Sequence, residues 1–231
     1  MQDEIAKHGK KIYSTVKSHN SFNEKLKEVI IEIFIIVFAV TLSIWLHSWS
    51  EHKHEQHEAD KFLMELKSDI ERDIQLLEQN KQLSARLDSN YKFVLNLGTA
   101  PMSDTILGAY TDMYTFSTNF NTGRYEGFKS GGKIGTIEND SLKNNILVYY
   151  QQTIPNLIAQ ANFLNNEQMK ILNAGQDAMD KFSLYQFLTT KKTHSMYYFL
   201  EYNFRTSTTD YANTILQANT IIKQIDKASE N

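Results

Sequence analysis

A segment rich in histidine and glutamate is the part of the sequence best suited to chemistry. Four of the seven histidines lie between positions 47 and 57. On a continuous helix, two of these histidines and two glutamates are spaced by four, three and four residues, which places all four side chains on one face. We name this set the His/Glu stripe: His47, Glu51, His54 and Glu58. Imidazole and carboxylate groups bind zinc and other divalent cations, so the stripe is a candidate metal or pH-sensing site. The alternative interpretation is a solvated helix surface.

A glycine-rich stretch, GFKSGGKI at 127–134, matches much of the pattern of a phosphate-binding loop. Ile134 stands where that pattern has the serine or threonine that binds magnesium, and no apolar strand precedes Gly127. We therefore interpret the glycines as a loop between helices, where they permit positive φ angles. The sequence predicts no nucleotide and no other cofactor.

The aromatic residues form a third candidate, because the chain has 13 Phe and 12 Tyr. Several tyrosines could line a pocket between helices. Their helical spacing instead favours packing in a core, with the hydroxyl groups at its rim. These residues are Tyr149, Tyr150, Tyr197, Tyr198 and Tyr202.

The overall composition excludes several classes of protein. The absence of cysteine excludes disulfides, zinc fingers, iron–sulfur clusters and thiol nucleophiles. The formal net charge of −3 argues against a nucleic-acid partner bound by bulk positive charge. Because no catalytic triad can be assembled either, the sequence predicts a protein that is not an enzyme.

One apolar segment indicates a membrane anchor. Residues 29–46 contain a single charged residue, Glu32, and as a helix they would span ~27 Å, close to the hydrocarbon thickness of a bilayer. Trp45 and Trp49 lie one turn apart at the far end, where indole rings prefer the membrane interface. The segment lacks the polar stripe of a core helix and the cleavage site of a signal peptide. We therefore predict a transmembrane helix over 29–49, with Glu32 reaching toward the interface.

The distribution of lysine predicts the orientation of this helix. Residues 7–28 carry six lysines and residues 47–68 carry three. The positive-inside rule then places segment 1–28 in the cytoplasm and the domain 50–231 outside, in the periplasm if the chain is bacterial. The predicted location is a bacterial inner membrane that the chain crosses once.

The remaining chain predicts helices almost throughout, since it has 2 Pro and 9 Gly. A long stalk helix should continue from the membrane helix, with an apolar stripe that includes Leu66, Ile70 and Leu77. Gly98, Pro155 and Gly175 are expected to end or kink helices. The expected class is all-α, an up-and-down bundle on a membrane stalk. The predicted helices are 50–97, 104–115, 140–175, 176–189 and 208–228.

Two sequence patches resemble a known family of uncharacterised bacterial proteins, each with one membrane span and a domain of unknown function. The first patch includes Trp49, Glu51, Leu63, Leu66, Lys67, Asp69, Ile70, Asp73 and Ile74. The second includes Ser130, Gly131, Ile137, Asn139, Leu142, Tyr149 and Tyr150. Ser48 and Ser50 stand where the family pattern has asparagines. The resemblance implies a membrane-anchored helical domain and brings no catalytic residues with it.

Three functions fit these observations. The first is a non-enzymatic, membrane-anchored module that binds a partner or acts as a scaffold, with the lipid bilayer and either a second copy or another membrane protein as partners. The second is a sensor input domain that signals through a separate membrane partner. The third is a metal-binding protein that uses the His/Glu stripe.

Overall fold

The computed structural model describes the backbone of residues 22–178 and 180–230 and, within them, the side chains from Leu26 onward. Every regular element in these residues is helical, which confirms the all-α class. Most of the predicted cytoplasmic segment 1–28 lies outside the described residues. In chain order the elements are α1 Phe22–Leu95, α2 Asp104–Thr111, α3 Gly123–Ser130, a 3₁₀ turn Lys133–Thr136, α4 Asp140–Val148, a π-helical turn Tyr149–Thr153, α5 Ile154–Ala178, α6 Leu184–Leu188 and α7 Lys191–Ser229.

The chain divides into two compact units whose boundary lies between Glu58 and Ala59. We name the part up to Glu58 the anchor unit and the part from Ala59 the body. Helix α1 belongs to both, because neither glycine nor proline occurs between Phe22 and Leu95 to end it. This continuity confirms the prediction that the apolar segment and the stalk form one helix.

The anchor unit carries the apolar segment. One helix among the described residues is long and apolar enough to cross a membrane, with a mean hydropathy of 2.7 over its most apolar 18 residues. None of that window is buried within the protein. Large apolar side chains such as Phe34 and Ile44 are 68% and 63% exposed. The segment is therefore a candidate membrane span rather than a core helix.

The body holds two apolar clusters that lie along α1. One cluster joins the later turns of α1 to α2, α5, α6 and the first half of α7. The other joins the earlier turns of α1 in the body to α3, α4, the π-helical turn and the end of α7. The predicted apolar stripe of α1 is buried in these clusters, at Leu63, Leu66, Ile70, Leu77, Leu87, Tyr91 and Val94.

The glycine-rich stretch differs from its prediction as a loop. Residues Gly123–Ser130 form α3, and Tyr125 anchors this helix because its ring is buried and stacks on Tyr150 at 4.5 Å. The turn that follows is confined to Gly131 and Gly132, and Gly132 has a φ of 73°. Only that position needs the conformational freedom of glycine.

Pro155 does not interrupt the helical path of the chain, because a π-helical turn precedes and accommodates it. Proline offers no amide hydrogen and its ring clashes with the preceding turn. The wider turn Tyr149–Thr153 precedes it, and the N–H of Ile154 donates to the carbonyl of Tyr149. Helix α5 then continues to Ala178.

Gly175 was expected to end this helix, and that prediction is wrong. Helix α5 runs through Gly175, which is buried against the ring of Phe187 in α6. A Cβ atom at position 175 would lie 3.4 Å from Phe187 Cε1, an ordinary contact distance. Packing against α6 therefore outweighs the low helix propensity of glycine here.

We expect the substitution Gly175→Ala to raise the free energy of unfolding by about 0.5–1 kcal/mol, because alanine favours the helix and its methyl group fits. Chemical denaturation of the full chain in mild detergent, followed by circular dichroism, measures the change. Gly175→Leu should instead destabilise the protein, because its larger side chain overlaps the ring of Phe187. A loss of stability in Gly175→Ala would contradict the contact geometry.

Helix α7 is longer than predicted, since residues from Lys191 to Ser229 form one helix. The last helix was expected only over 208–228. Thr190 caps the helix by accepting a hydrogen bond from the N–H of Thr193. Buried aromatic residues then hold the early turns against α1, as in the tilted contact of Tyr91 with Tyr197 at 4.4 Å.

Candidate functional site

The body contains a non-helical segment, residues 112–122, between α2 and α3. We name it the strap. The side chain of Phe116 in the strap is buried, and it packs in the cluster formed by α1, α5 and α7. Because this backbone is not helical, its polar groups need partners from elsewhere in the protein.

Amide side chains supply those partners from two helices. Asn80 of α1 donates from Nδ2 to the carbonyl of Ser117 at 2.8 Å, and its Oδ1 accepts from the N–H of Ser117 at 3.2 Å. Asn165 of α5 makes the same pair of bonds with Phe116, at 3.0 and 2.8 Å. Each amide thus pairs with the strap as a neighbouring strand would.

Gln168 of α5 completes the set by pairing with Tyr114. Its Nε2 donates to the carbonyl of Tyr114 at 3.0 Å, and its Oε1 accepts from the N–H at 3.4 Å. We name Asn80, Asn165 and Gln168 the amide clamp. Its bonds to the strap go to backbone groups, so the clamp fixes the position of the strap independently of the strap's side chains.

Asp73 holds the end of the strap. Its Oδ1 accepts hydrogen bonds from the backbone N–H of Asn121 at 2.9 Å and from Nδ2 of the same residue at 2.7 Å. Its Oδ2 is buried and has no hydrogen-bond partner among the described residues. Burial raises the pKa of the Asp73 carboxyl above its ordinary value, although the bonds from Asn121 oppose this effect.

Two buried tyrosines share the surroundings of Asp73. The hydroxyl groups of Tyr149 and Tyr150 are buried and lack hydrogen-bond partners among the described residues. Burial raises the pKa of both phenols, and the charge of Asp73 raises it further. Both phenols therefore stay neutral beside Asp73, and burial together with the charge of Asp69 raises the pKa of the Asp73 carboxyl.

Asp69, one turn before Asp73, is paired with arginine. Nε of Arg124 in α3 donates to Asp69 Oδ2 at 2.9 Å, and the same guanidinium group contacts Glu65. Arg72 lies 3.4 Å from the other carboxylate oxygen of Asp69. The two pairs made by Arg124 fasten α3 to α1, next to the end of the strap.

We expect Asp73→Asn to stabilise the protein above the pH at which Asp73 ionises. The folded-state pKa is raised above the unfolded value of about 3.8, so the contribution of Asp73 to stability is complete below pH 3.8 and is lost as the pH rises through the folded-state pKa. Asparagine keeps the acceptor for Asn121 and carries no charge.

Melting temperatures of the two proteins between pH 4 and 8 test this expectation, with Asp140→Asn as the control at an exposed carboxyl. The difference between Asp73→Asn and the unaltered chain should widen as the pH rises. A variant that melts below the unaltered chain by the same amount at every pH would show that the ionised carboxylate is the favoured form.

The structure places the His/Glu stripe in the anchor unit as two separate pairs. His47 Nε2 lies 3.2 Å from Glu51 Oε1, and His54 Nε2 lies 3.7 Å from Glu58 Oε1. The imidazole side chains are exposed. Across the described residues, no group of three or more His, Cys, Asp or Glu is arranged to hold a metal ion. Each pair thus offers two donors, whereas zinc takes four ligands.

We expect purified protein to carry far less than one equivalent of zinc, since two exposed donors bind the ion weakly. Elemental analysis after purification without chelator measures the content, and the substitution His54→Ala should leave it unchanged. A stoichiometric metal content that falls in the His54→Ala variant would instead assign a metal site to the stripe.

The predicted interface residues lie on exposed parts of α1. Trp45 and Trp49 are 60% and 50% exposed, and Lys53 Nζ lies 4.4 Å from the ring centroid of Trp49. Glu32 is partly buried. Indoles with a cation beside them are typical of the level of the lipid headgroups.

Sequence reasoning missed the amide clamp, although a signal was present. Asn80 and Asp73 occupy positions on the apolar face of α1, and Gln168 occupies the same kind of position on α5. A polar side chain on the buried face of a helix must find a hydrogen-bond partner, so such residues mark a polar contact inside the core.

Comparison with protein families gives one match, described as a family of unknown function (DUF6090), over residues 32–196. The match covers 165 of the 231 residues. The chain belongs to this family. Comparison with curated proteins and with solved structures gave no match.

Membership of DUF6090 confirms the resemblance to an uncharacterised domain family that the two sequence patches carried. The matched residues include most of the apolar segment, the strap and the whole amide clamp. The two patches meet in one place, since Leu66 and Ile70 of the first pack in the same cluster as Tyr149 and Tyr150 of the second. The later part of α7 lies beyond the match.

Proposed function

We propose that the protein is a membrane-anchored, non-enzymatic binding module whose body lies on the periplasmic side of a bacterial inner membrane. The observation that carries this proposal is that no residue in the most apolar window of α1 is buried within the protein. Burial of apolar surface is the main favourable term in folding, so a long apolar helix with no protein partner is suited to lipid.

The charge pattern supports the direction of insertion. Six lysines precede the apolar segment within residues 7–28, and three follow it within residues 47–68. The positive-inside rule then favours a cytoplasmic start and a periplasmic body, reached by a single crossing.

The body supports a role in binding rather than catalysis. Four of its polar side chains, those of the amide clamp and Asp73, bond to the backbone of the strap and hold it in place. The apolar stripe of α1 is buried in the core of the body, so it is not free to pair with a second copy. Apolar side chains exposed on α7, among them Tyr198, Tyr202 and Leu216, are the surface offered to a partner or a second copy.

Two measurements test the anchored topology. Alkaline phosphatase fused after Asn231 should be active, and a fluorescent protein that folds only in the cytoplasm should be dark at the same site. The chain should also resist extraction from membranes by alkaline carbonate. A fusion that is active only in the cytoplasm would refute the orientation, and a chain extracted as a soluble protein would refute the anchor.

A sensor role is the second candidate, and the continuity of α1 favours it. One unbroken helix, Phe22–Leu95, contains both the apolar segment and a core helix of the body. Such a helix offers a direct mechanical link to a separate membrane partner. Crosslinking in native membranes tests this role, and the absence of any membrane or cytoplasmic partner would eliminate it.

A further inference from the structure

A cleft of about 470 Å³ opens between α5 and α7 in the body. This volume lies within the range of about 300–1,000 Å³ that is typical of small-ligand sites. The cleft is separate from the strap and from the His/Glu stripe.

The lining of the cleft is almost entirely uncharged and polar. Asn156 and Gln160 line it from α5, and Asp210, Asn213 and Gln217 line it from α7. No basic residue takes part in the lining. With one carboxylate and no cation, the cleft disfavours anionic ligands and suits neutral molecules that carry hydroxyl or amide groups.

Hydrogen bonds within the lining already orient its groups. Gln160 Nε2 donates to Asp210 Oδ2 at 2.8 Å, and Thr153 Oγ1 donates to Gln217 Oε1 at 2.9 Å. Gln217 is therefore left with its amide N–H groups as donors, and Asp210 with its second oxygen as an acceptor. Donors and acceptors that are fixed in advance cost a ligand less entropy on binding.

A further observation points to a ligand. Thr153 ends the π-helical turn, and single π-helical turns within helices occur frequently at functional sites.

From this geometry we propose that the cleft binds a neutral sugar ring. Vicinal hydroxyl groups of a pyranose donate to the second carboxylate oxygen of Asp210 and accept from the amide N–H groups of Gln217. The unbonded amides of Asn156 and Asn213 both donate and accept, which matches hydroxyl groups in either role. The inference rests on the proposed binding function, whose ligand it names by class.

N-acetylglucosamine and glucuronate are the probes that test this assignment. The full chain is reconstituted in phospholipid nanodiscs, which avoids glycoside detergents, and each sugar is titrated by calorimetry and by ligand-observed NMR. We expect N-acetylglucosamine to bind with a dissociation constant of about 1 mM. Glucuronate should bind at least ~10-fold more weakly, because its carboxylate faces Asp210 without a cation to offset the repulsion.

Matched variants locate the site. Gln217→Ala and Asn213→Ala should each weaken the binding of N-acetylglucosamine by ~10-fold, the cost of one lost polar contact in a specific site. Asn219→Ala removes an exposed amide of the same helix that bonds only within α7, and it should bind like the unaltered chain. Equal melting temperatures show that all three variants are folded.

Lack of binding by N-acetylglucosamine, equal binding of glucuronate, or unchanged binding by the Gln217→Ala and Asn213→Ala variants would each overturn the assignment. These outcomes are independent of the topology measurements. Sugar binding by a chain that fractionates as soluble would leave the cleft assignment in place and refute the membrane-anchored function. An anchored chain that binds no sugar would refute the cleft assignment and leave the membrane-anchored function in place.

Discussion

The double substitution Ile35→Arg with Phe38→Arg is expected to abolish stable insertion in the membrane. Both residues lie near the middle of the apolar segment, where each arginine costs about 2.5–3.5 kcal/mol for insertion. Together they oppose insertion by about 5–7 kcal/mol, which outweighs the small contribution of each apolar residue they replace. The chain should move from the carbonate-resistant membrane fraction to the soluble or aggregated fractions.

The matched control places two arginines on the same helix within the body. Gln75 and Gln79 are exposed residues of α1, so Gln75→Arg with Gln79→Arg adds the same charge without touching the apolar segment. This control should remain in the membrane fraction. If the Ile35→Arg and Phe38→Arg chain also remains integrated and keeps its phosphatase fusion active, the apolar segment is not the anchor.

The sequence was informative where an element is defined by its own residues. The apolar segment and the stripe from Leu63 to Val94 follow from composition and from a spacing of three and four residues, and both lie in α1 as predicted. The start of the predicted helix at residue 140 was equally local, because the side chain of Asn139 caps α4 by accepting from the N–H of Leu142. Local signals of this kind need no knowledge of distant partners.

Predictions failed where a distant contact decides the conformation. Gly175 predicts a helix end by its residue type, but it packs against Phe187 and lies inside a helix. Tyr125 lies in a glycine-rich segment that is helical, and its ring stacks on Tyr150. The amide clamp depends on partners that lie 37 to 54 positions away along the chain. Neither helix propensity nor hydrophobic periodicity carries information about contacts between residues so far apart in the sequence.

The clamp also explains how a helical body accommodates the strap, whose Phe116 is buried. Backbone N–H and C=O groups that leave water must be paired, and a bundle of helices offers no free backbone to pair with them. Asparagine and glutamine side chains substitute for that backbone, because an amide group presents a donor and an acceptor side by side. Polar residues on the buried faces of α1 and α5 therefore specify the position of the strap.

Asn80→Ala should consequently lower the free energy of unfolding by about 2–3 kcal/mol, which corresponds to a fall in melting temperature of roughly 5–10 °C. Two hydrogen bonds are lost, and the N–H and carbonyl of Ser117 are left without the partners they have in the core. Part of the cost is relieved because Ser117 is partly exposed to water. Denaturation of the full chain in mild detergent measures the effect.

Gln79→Ala is the control, because it removes an exposed amide from the adjacent position of the same helix and should change stability by less than about 0.5 kcal/mol.

A double-mutant cycle of Asn80→Ala with Asn165→Ala tests whether the strap behaves as one unit. Asn80 and Asn165 hold the neighbouring residues Ser117 and Phe116, so loss of either loosens what the other binds. The double variant should therefore lose less than the sum of the two single effects. Additive losses would mean that each amide holds its own residue independently, and an Asn80→Ala protein as stable as Gln79→Ala would mean that the clamp does not hold the strap.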